Sequence, residues 1–158
     1  MMKSIPVWKQ ELSDGVHAAR LASLYCCAPA ETASEAARYT AVLDGLEKTF
    51  GSHAEAGLYS APGRTEIGGN HTDHQHGRVL AGSVNIDMIA AAAPNDKNQL
   101  RVQSEGYDLC VIDLDDLEAR KEEENTTAAL LRGECAAFAQ RGAKLAGLDV
   151  YIVSLIHI

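Results

Sequence analysis

The run from Val79 to Ala93 limits the fold of this 158-residue chain more than any other segment. Val84, Ile86 and Met88 alternate with Ser83, Asn85 and Asp87, a two-residue period that fits a strand and not a helix. The strand then passes into the small-residue run Ala90 to Ala93, which allows close packing against a helix. Pro94-Asn95-Asp96-Lys97-Asn98 has the composition of a turn, and Leu100-Arg101-Val102-Gln103 is expected to return as the hairpin partner. Leu109 to Leu114 reads as another short strand, and Leu148 to Ile158 as a final one.

Helical patterns flank this β region on both sides. Leu12 to Cys27 carries Val16, Leu21, Leu24 and Tyr25 near the 3.6 period, with Pro29 to help end it. A second helix has the capping-box spacing of Thr32 and Glu35. Its apolar stripe is Tyr39, Val42, Leu43, Leu46 and Phe50, with Gly51 at its C-terminal cap. Asn125 or Thr126 caps a third, expected to run to about Ala146 with Ala128, Leu131, Cys135, Phe138 and Leu145 buried. Helices before and after an antiparallel hairpin give an α+β fold, not an alternating βαβ one.

Charge narrows the partners. Fourteen Lys and Arg against 22 Asp and Glu leave a net charge of -8, which counts against nucleic acid and against an anionic membrane surface. Seven of the acids lie between Asp113 and Glu124, a solvated turn and helix start. Cys26, Cys27, Cys110 and Cys135 have neither disulfide nor zinc-ligand spacing. The N-terminus reaches charge too soon for a signal peptide, and no apolar stretch approaches a membrane span. A cytoplasmic location with reduced thiols is expected.

Only one segment carries concentrated chemistry. After the strand Gly57 to Ser60, a long loop opened by Ala61-Pro62-Gly63 is expected. It sets Arg64, Glu66, Asn70, His71, Asp73, His74, His76 and Arg78 within fifteen positions. Three readings compete. His71, His74 and His76 with Asp73 suit a transition metal by ligand type, although their spacing matches no helix-borne zinc motif. Gly68-Gly69 gives thin support to a phosphate-cradling loop. The third reading is a sugar site. A carboxylate (Asp73), an amide (Asn70) and an imidazole (His71) within four positions can read adjacent hydroxyls, and a misplaced hydroxyl leaves a buried acceptor unpaired.

The same residues resemble the first motif of the galactokinases, within the GHMP family of small-molecule kinases. That motif runs Ala-Pro-Gly-Arg-Val-Asn-Leu-Ile-Gly-Glu-His-Thr-Asp-Tyr and continues into a Gly-x-Val-Leu strand. Ala61, Pro62, Gly63, Arg64, Gly69, His71, Thr72, Asp73, Gly77, Val79 and Leu80 match it. The chain departs at Glu66 for Asn, Gly68 for Ile, Asn70 for Glu and His74 for Tyr. Asn70 keeps hydrogen-bonding capacity but loses the charge, which weakens the contact that the family's Glu makes with a sugar hydroxyl. The hairpin and the Asn125-Thr126-Thr127 helix start look like the family too, so the resemblance runs from about residue 55 onward.

The resemblance implies the N-terminal domain of a GHMP-type kinase, α+β with a mixed sheet and helices on one face, truncated. Residues 1–54 would be an N-terminal helical segment, and 55–158 an incomplete kinase domain carrying the sugar motif. It implies phosphorylation of galactose, or of a closely related sugar given Asn70, at the anomeric hydroxyl, with ATP and Mg2+ in the full-length family. Arg64 is then the catalytic residue, offsetting charge beside the transferred phosphoryl group. Asn70, His71, Thr72 and Asp73 bind the substrate, and no residue here is assigned to a metal or cofactor. His74, His76, Arg78 and Glu66 stay structural or solvent-facing. Family members also carry a Gly-Leu-Ser-Ser-Ser-Ala phosphate loop and a catalytic Asp further on, and no such loop occurs in these 158 residues. The expectation is therefore a piece inactive on its own. The alternative is a non-catalytic sugar-binding or regulatory module derived from the kinase fold.

Overall fold

A computed structural model describes residues 1–69 and 76–154. A short strand β1 (Met2–Lys3) leads into helices α1 (Ile5–Ser13), α2 (Ala18–Tyr25) and α3 (Ala33–Phe50). Strands β2 (Ala56–Gly68), β3 (Leu80–Pro94), β4 (Gln99–Ser104) and β5 (Cys110–Asp113) follow, then helix α4 (Thr127–Gln140) and strand β6 (Leu148–Ser154).

The N-terminal helix expected over Leu12 to Cys27 is two helices. Gly15, at φ +72°, breaks the pattern, and α1 begins well before Leu12. Ile5, Trp8 and Leu12 form the buried stripe of α1, while Val16 is 63% exposed in the break. Helix α3 follows its pattern closely. Tyr39, Val42, Leu43 and Leu46 are buried at i, i+3, i+4 and i+7, and Gly51 ends the helix at φ +89°. Thr32 precedes α3 without capping it, since its hydroxyl donates to the Pro29 carbonyl (2.8 Å). Thr126 does cap α4, its Oγ1 accepting from the Ala129 amide (3.3 Å). That helix stops at Gln140, ahead of Gly142 at φ +85°, and not near Ala146. Of its expected inner face, Cys135 is buried but Phe138 is 56% exposed, and Arg132 takes a buried place.

The six strands form one mixed sheet in the order β1-β2-β3-β6-β4-β5. The turn expected after Pro94 is present, but β3 and β4 are not hairpin partners. Strand β6 lies between them, antiparallel to β3 and parallel to β4. The backbone groups that a hairpin would have paired are taken by β6 instead. Strand β2 also runs on through Ala61-Pro62-Gly63 to Gly68, where a loop had been expected.

Helices α1, α2 and α3 pack on one face of the sheet. Their apolar residues share a core with Ala56 of β2 and with Ile89, Ala91 and Ala93 of β3, while Tyr151 and Val153 of β6 pack against it. Full burial of side chains such as Leu43 and Leu46 contributes roughly 1.5–3 kcal/mol each. Gly45 lets α3 lie directly on the sheet, because a Cβ there would come within 2.5 Å of the Tyr151 ring. The core therefore joins residues on both sides of position 54. Helices on one face describes α1 to α3. Helix α4 packs along β5 at the far edge, and Thr127 at its start shares a pocket with Val102, Cys110 and Ile152. Strand alternation and register put those three on the face opposite Arg101 and Asp149. All four cysteines are free thiols.

Candidate functional site

The segment singled out in the sequence sits at one end of the β2–β3 pair. Along this pair Ala61 faces Met88, Pro62 faces Asp87, Arg64 faces Ser83 and Glu66 faces Ala81. The register slips between Pro62 and Arg64 and again between Glu66 and Gly68. Proline donates no backbone hydrogen bond, so Pro62 at a slip costs the ladder little. The slip also re-aims the residues that follow, a common use of a bulge. Arg64 lies just past the first slip, exposed, and no hydrogen bond or ion pair joins its side chain to another described residue.

Past the second slip the two strands close to a neck. Gly69 has φ +109°, and a Cβ on it would lie 2.6 Å from the Val79 Cα. Only glycine meets both the backbone angle and the approach. His76, on the returning side, has φ +64°. The expected substrate-binding residues Asn70, His71, Thr72 and Asp73 fall between these two positions and lie outside the described residues, as does His74. Two of the three histidines in the metal reading share that position, and His76 is exposed. Among the described residues no group of three His, Cys, Asp or Glu side chains is placed to hold a metal ion.

A buried polar cluster underpins the motif-bearing strands. Asp87, 2% exposed and opposite Pro62, receives three donors from three elements. Tyr25 of α2 and Ser60 of β2 each donate a hydroxyl to Oδ2 at 2.6 Å. Arg38 of α3 donates Nη2 to Oδ1 at 2.8 Å and Nη1 to Glu35 at 2.5 Å. The Tyr25 and Tyr39 hydroxyls are 3.0 Å apart. Burial pushes the Asp87 carboxyl up, but the hydrogen bonds from Ser60, Tyr25 and Arg38 outweigh it and hold the group below its ordinary value. Burial, with the Asp87 charge beside it, pushes the Tyr25 phenol far up, so Tyr25 stays a donor. Three chain segments distant in sequence are thus tied to one carboxylate beneath the Ala-Pro-Gly-Arg stretch.

Sequence reasoning missed this cluster although its signal was present. The alternation in β3 is real, but its sense is the reverse of the usual one. Asp87 points into the helices with Ile89, Ala91 and Ala93, while Ile86 and Met88 are 49% and 36% exposed. A second buried carboxylate, Asp149 of β6, lies on the same face. It accepts from Arg101 Nε (2.6 Å) and Nη2 and from Asn95 Nδ2 (2.6 Å), with His53 Nε2 2.9 Å away. Burial raises this carboxyl too, and the bonds from Arg101, His53 and Asn95 outweigh the effect and lower it. The Arg101 guanidinium also lies 4.9 Å over the Phe50 ring, joining β4 to the end of α3.

The comparisons with known proteins point to the same strands. The family model described as the galactokinase galactose-binding signature matches residues 46–94, from the end of α3 to the end of β3. The galactokinase of Ligilactobacillus salivarius is 36% identical over 83 residues, covering 51% of this chain and 21% of that protein. The galactokinase of Streptomyces coelicolor is 28% identical over 111 residues, 70% of this chain and 28% of that protein. The crystal structure of Lactococcus lactis galactokinase complexed with galactose superposes with a TM-score of 0.64 at 23% identity. It covers 73% of this chain and 30% of that one, and the likeness shows a shared fold. The matched region spans less than a third of each of these proteins.

Proposed function

From its likeness to the N-terminal portion of the galactokinases, we propose that this chain is the sugar-binding front part of such an enzyme. The reaction of the whole protein is then the ATP-dependent phosphorylation of galactose at its anomeric hydroxyl to galactose 1-phosphate, in the cytoplasm. One observation carries the reading: the galactose-binding signature over residues 46–94 spans the two strands whose connection reads Asn-His-Thr-Asp.

In this reading Asp73 accepts from two neighbouring sugar hydroxyls and reads their relative orientation. His71 and Asn70 pair with further hydroxyls, and the backbone at Thr72 holds the spacing. A hydroxyl of the wrong configuration leaves a desolvated acceptor unpaired, which discriminates more sharply than apolar contact. Arg64 has its guanidinium uncommitted among the described residues, and it supplies positive charge where the attacking hydroxyl and the incoming phosphoryl group meet. ATP with Mg2+ supplies the phosphoryl group in the family. The residues present do not fit a phosphate cradle, since no Gly-Leu-Ser-Ser-Ser-Ala loop occurs among them. No residue of this chain is assigned to ATP.

The test is calorimetric titration of the 158-residue chain with galactose, beside Asp73→Ala. Saturable heat that disappears in Asp73→Ala supports the reading, and equal heats in both proteins refute it. A coupled ATP-consumption assay on the same chain is expected to show no galactose-dependent turnover. The alternative is a sugar-binding or regulatory module that acts without catalysis. Restoration of turnover by adding the remaining part of a related galactokinase would decide for the enzyme fragment.

A further inference from the structure

A cavity of about 600 Å3 lies between α1, α2, α3 and the first half of β2. Its volume falls in the range of small-molecule sites. Its inner wall is apolar and firmly held, with Trp8, Leu12, Leu21 and Tyr39 each at most 8% exposed, while His17, Arg20, Ser23 and Tyr59 make much of the rest of the lining polar. Leu24 and Leu58 extend the same surface toward the opening. The cavity belongs to the N-terminal helices, which lie largely ahead of the galactose-binding signature at 46–94.

The polar groups around it divide into spent and free. The Trp8 Nε1 donates to the Ala56 carbonyl (2.8 Å) and the Ser60 hydroxyl donates to Asp87. His17 pairs with Glu11 (2.8 Å), and Lys3 pairs with the same carboxylate. Arg20 lines the cavity as well, and no described residue pairs with its guanidinium. The nearby anion, Glu11, is thus already matched by two basic groups, and among the charged side chains of the lining Arg20, exposed at the rim, is the one without a described counterpart. An open cleft with an apolar inner wall and one planar, two-pronged donor at its exposed rim has a definite complement.

We propose that this cavity is a second ligand site and that it takes a small amphipathic carboxylate, its aromatic or branched aliphatic body against Trp8, Leu21 and Leu58 and its carboxylate on Arg20. Two walls of the chamber, Tyr39 and Ser60, also contact the Asp87 cluster, so a bound ligand adjoins the residues that hold α2 and α3 to the motif-bearing strands.

Trp8 is the chain's one tryptophan, so its emission reports directly on the cavity. The experiment titrates the intact chain with 4-phenylbutyrate, excites at the red edge of tryptophan absorption, and uses 4-phenylbutan-1-ol as the neutral counterpart. A saturable change with the acid is expected, and affinity about tenfold or more weaker with the alcohol and in Arg20→Gln, as loss of a charge-assisted hydrogen bond implies. Leu24→Ala, which removes apolar surface at the opening and keeps the guanidinium, is expected to weaken acid and alcohol alike. No saturable response to the acid overturns the proposal. Equal affinity for acid and alcohol, or an unchanged response in Arg20→Gln, overturns it too. Circular dichroism on each variant confirms that the fold is kept.

Discussion

Replacing Asp87 by Asn is the most incisive test of how the motif-bearing strands are held. The substitution keeps the shape and removes the charge. An amide offers one oxygen where the carboxylate offers two, so it satisfies either the Tyr25 and Ser60 hydroxyls on one side or Arg38 on the other. With its oxygen on Arg38, its NH2 meets two hydroxyls that must turn from donors to acceptors. With its oxygen on the hydroxyls, its NH2 faces a guanidinium that cannot accept. Breaking a buried ion pair by removing one partner costs about 3–5 kcal/mol. Glu35 still pairs with Arg38, whose side chain is 20% exposed, so the low end applies, about 3 kcal/mol. For a chain of this size that lowers Tm by roughly 6–12 °C. Urea unfolding is the assay, with Asp108→Asn as the control that makes the same charge change at an exposed position. The pH dependence gives an independent reading. Asp87 has its folded pKa lowered, so its contribution is complete above the unfolded value of about 3.9 and is lost as pH falls through the folded value. The gap between wild type and Asp87→Asn is therefore full at pH 7 and closes in acid below about pH 4. A loss under about 1 kcal/mol at pH 7, or a gap that persists unchanged in acid, would refute the account.

Three further outcomes are expected. Gly45→Ala sets a methyl group into the Tyr151 ring and should cost about 1–3 kcal/mol by chemical denaturation, in spite of alanine's better helix propensity. Thr126→Ala removes the α4 cap and should cost about 1 kcal/mol, with Thr126→Ser restoring most of it. The wild-type chain should lose stability steeply below about pH 4 in acid titration followed by circular dichroism, because Asp149 as well as Asp87 has its pKa lowered by folding.

Local features were legible in the sequence where local chemistry determines them. The stripe and terminal glycine of α3, the Thr126 cap and the alternation of β3 all come from spacing within a few residues. Long-range pairing was not. Nothing near Pro94 or Gln99 states that residues 148–154 will come between those strands, because the choice depends on a partner some fifty positions away. The inward face of β3 was hidden for a related reason. A strand carrying Asp87 reads as polar on that side until Tyr25, Ser60 and Arg38 are brought to it. Three elements supply those donors, and no spacing rule joins them. Of the candidate site, Arg64 and the neck at Gly69 and His76 are described, and they frame the positions that the resemblance assigns to the sugar.

The place of β6 has a kinetic consequence. Strands β1 to β3 with helices α1 to α3 can form one unit from local and intermediate contacts, and β4 with β5 another. Neither unit is joined to the other by a backbone ladder until residues 148–154 arrive between them. At synthesis rates of about 5–20 residues per second the edges of β3 and β4 stay open for several seconds after each is made. For that interval the nascent chain presents two unpaired strand edges, one bordered by the apolar run Ile89 to Ala93. Because β6 is made after both of its neighbours, its arrival ends the exposure of both edges to wrong partners.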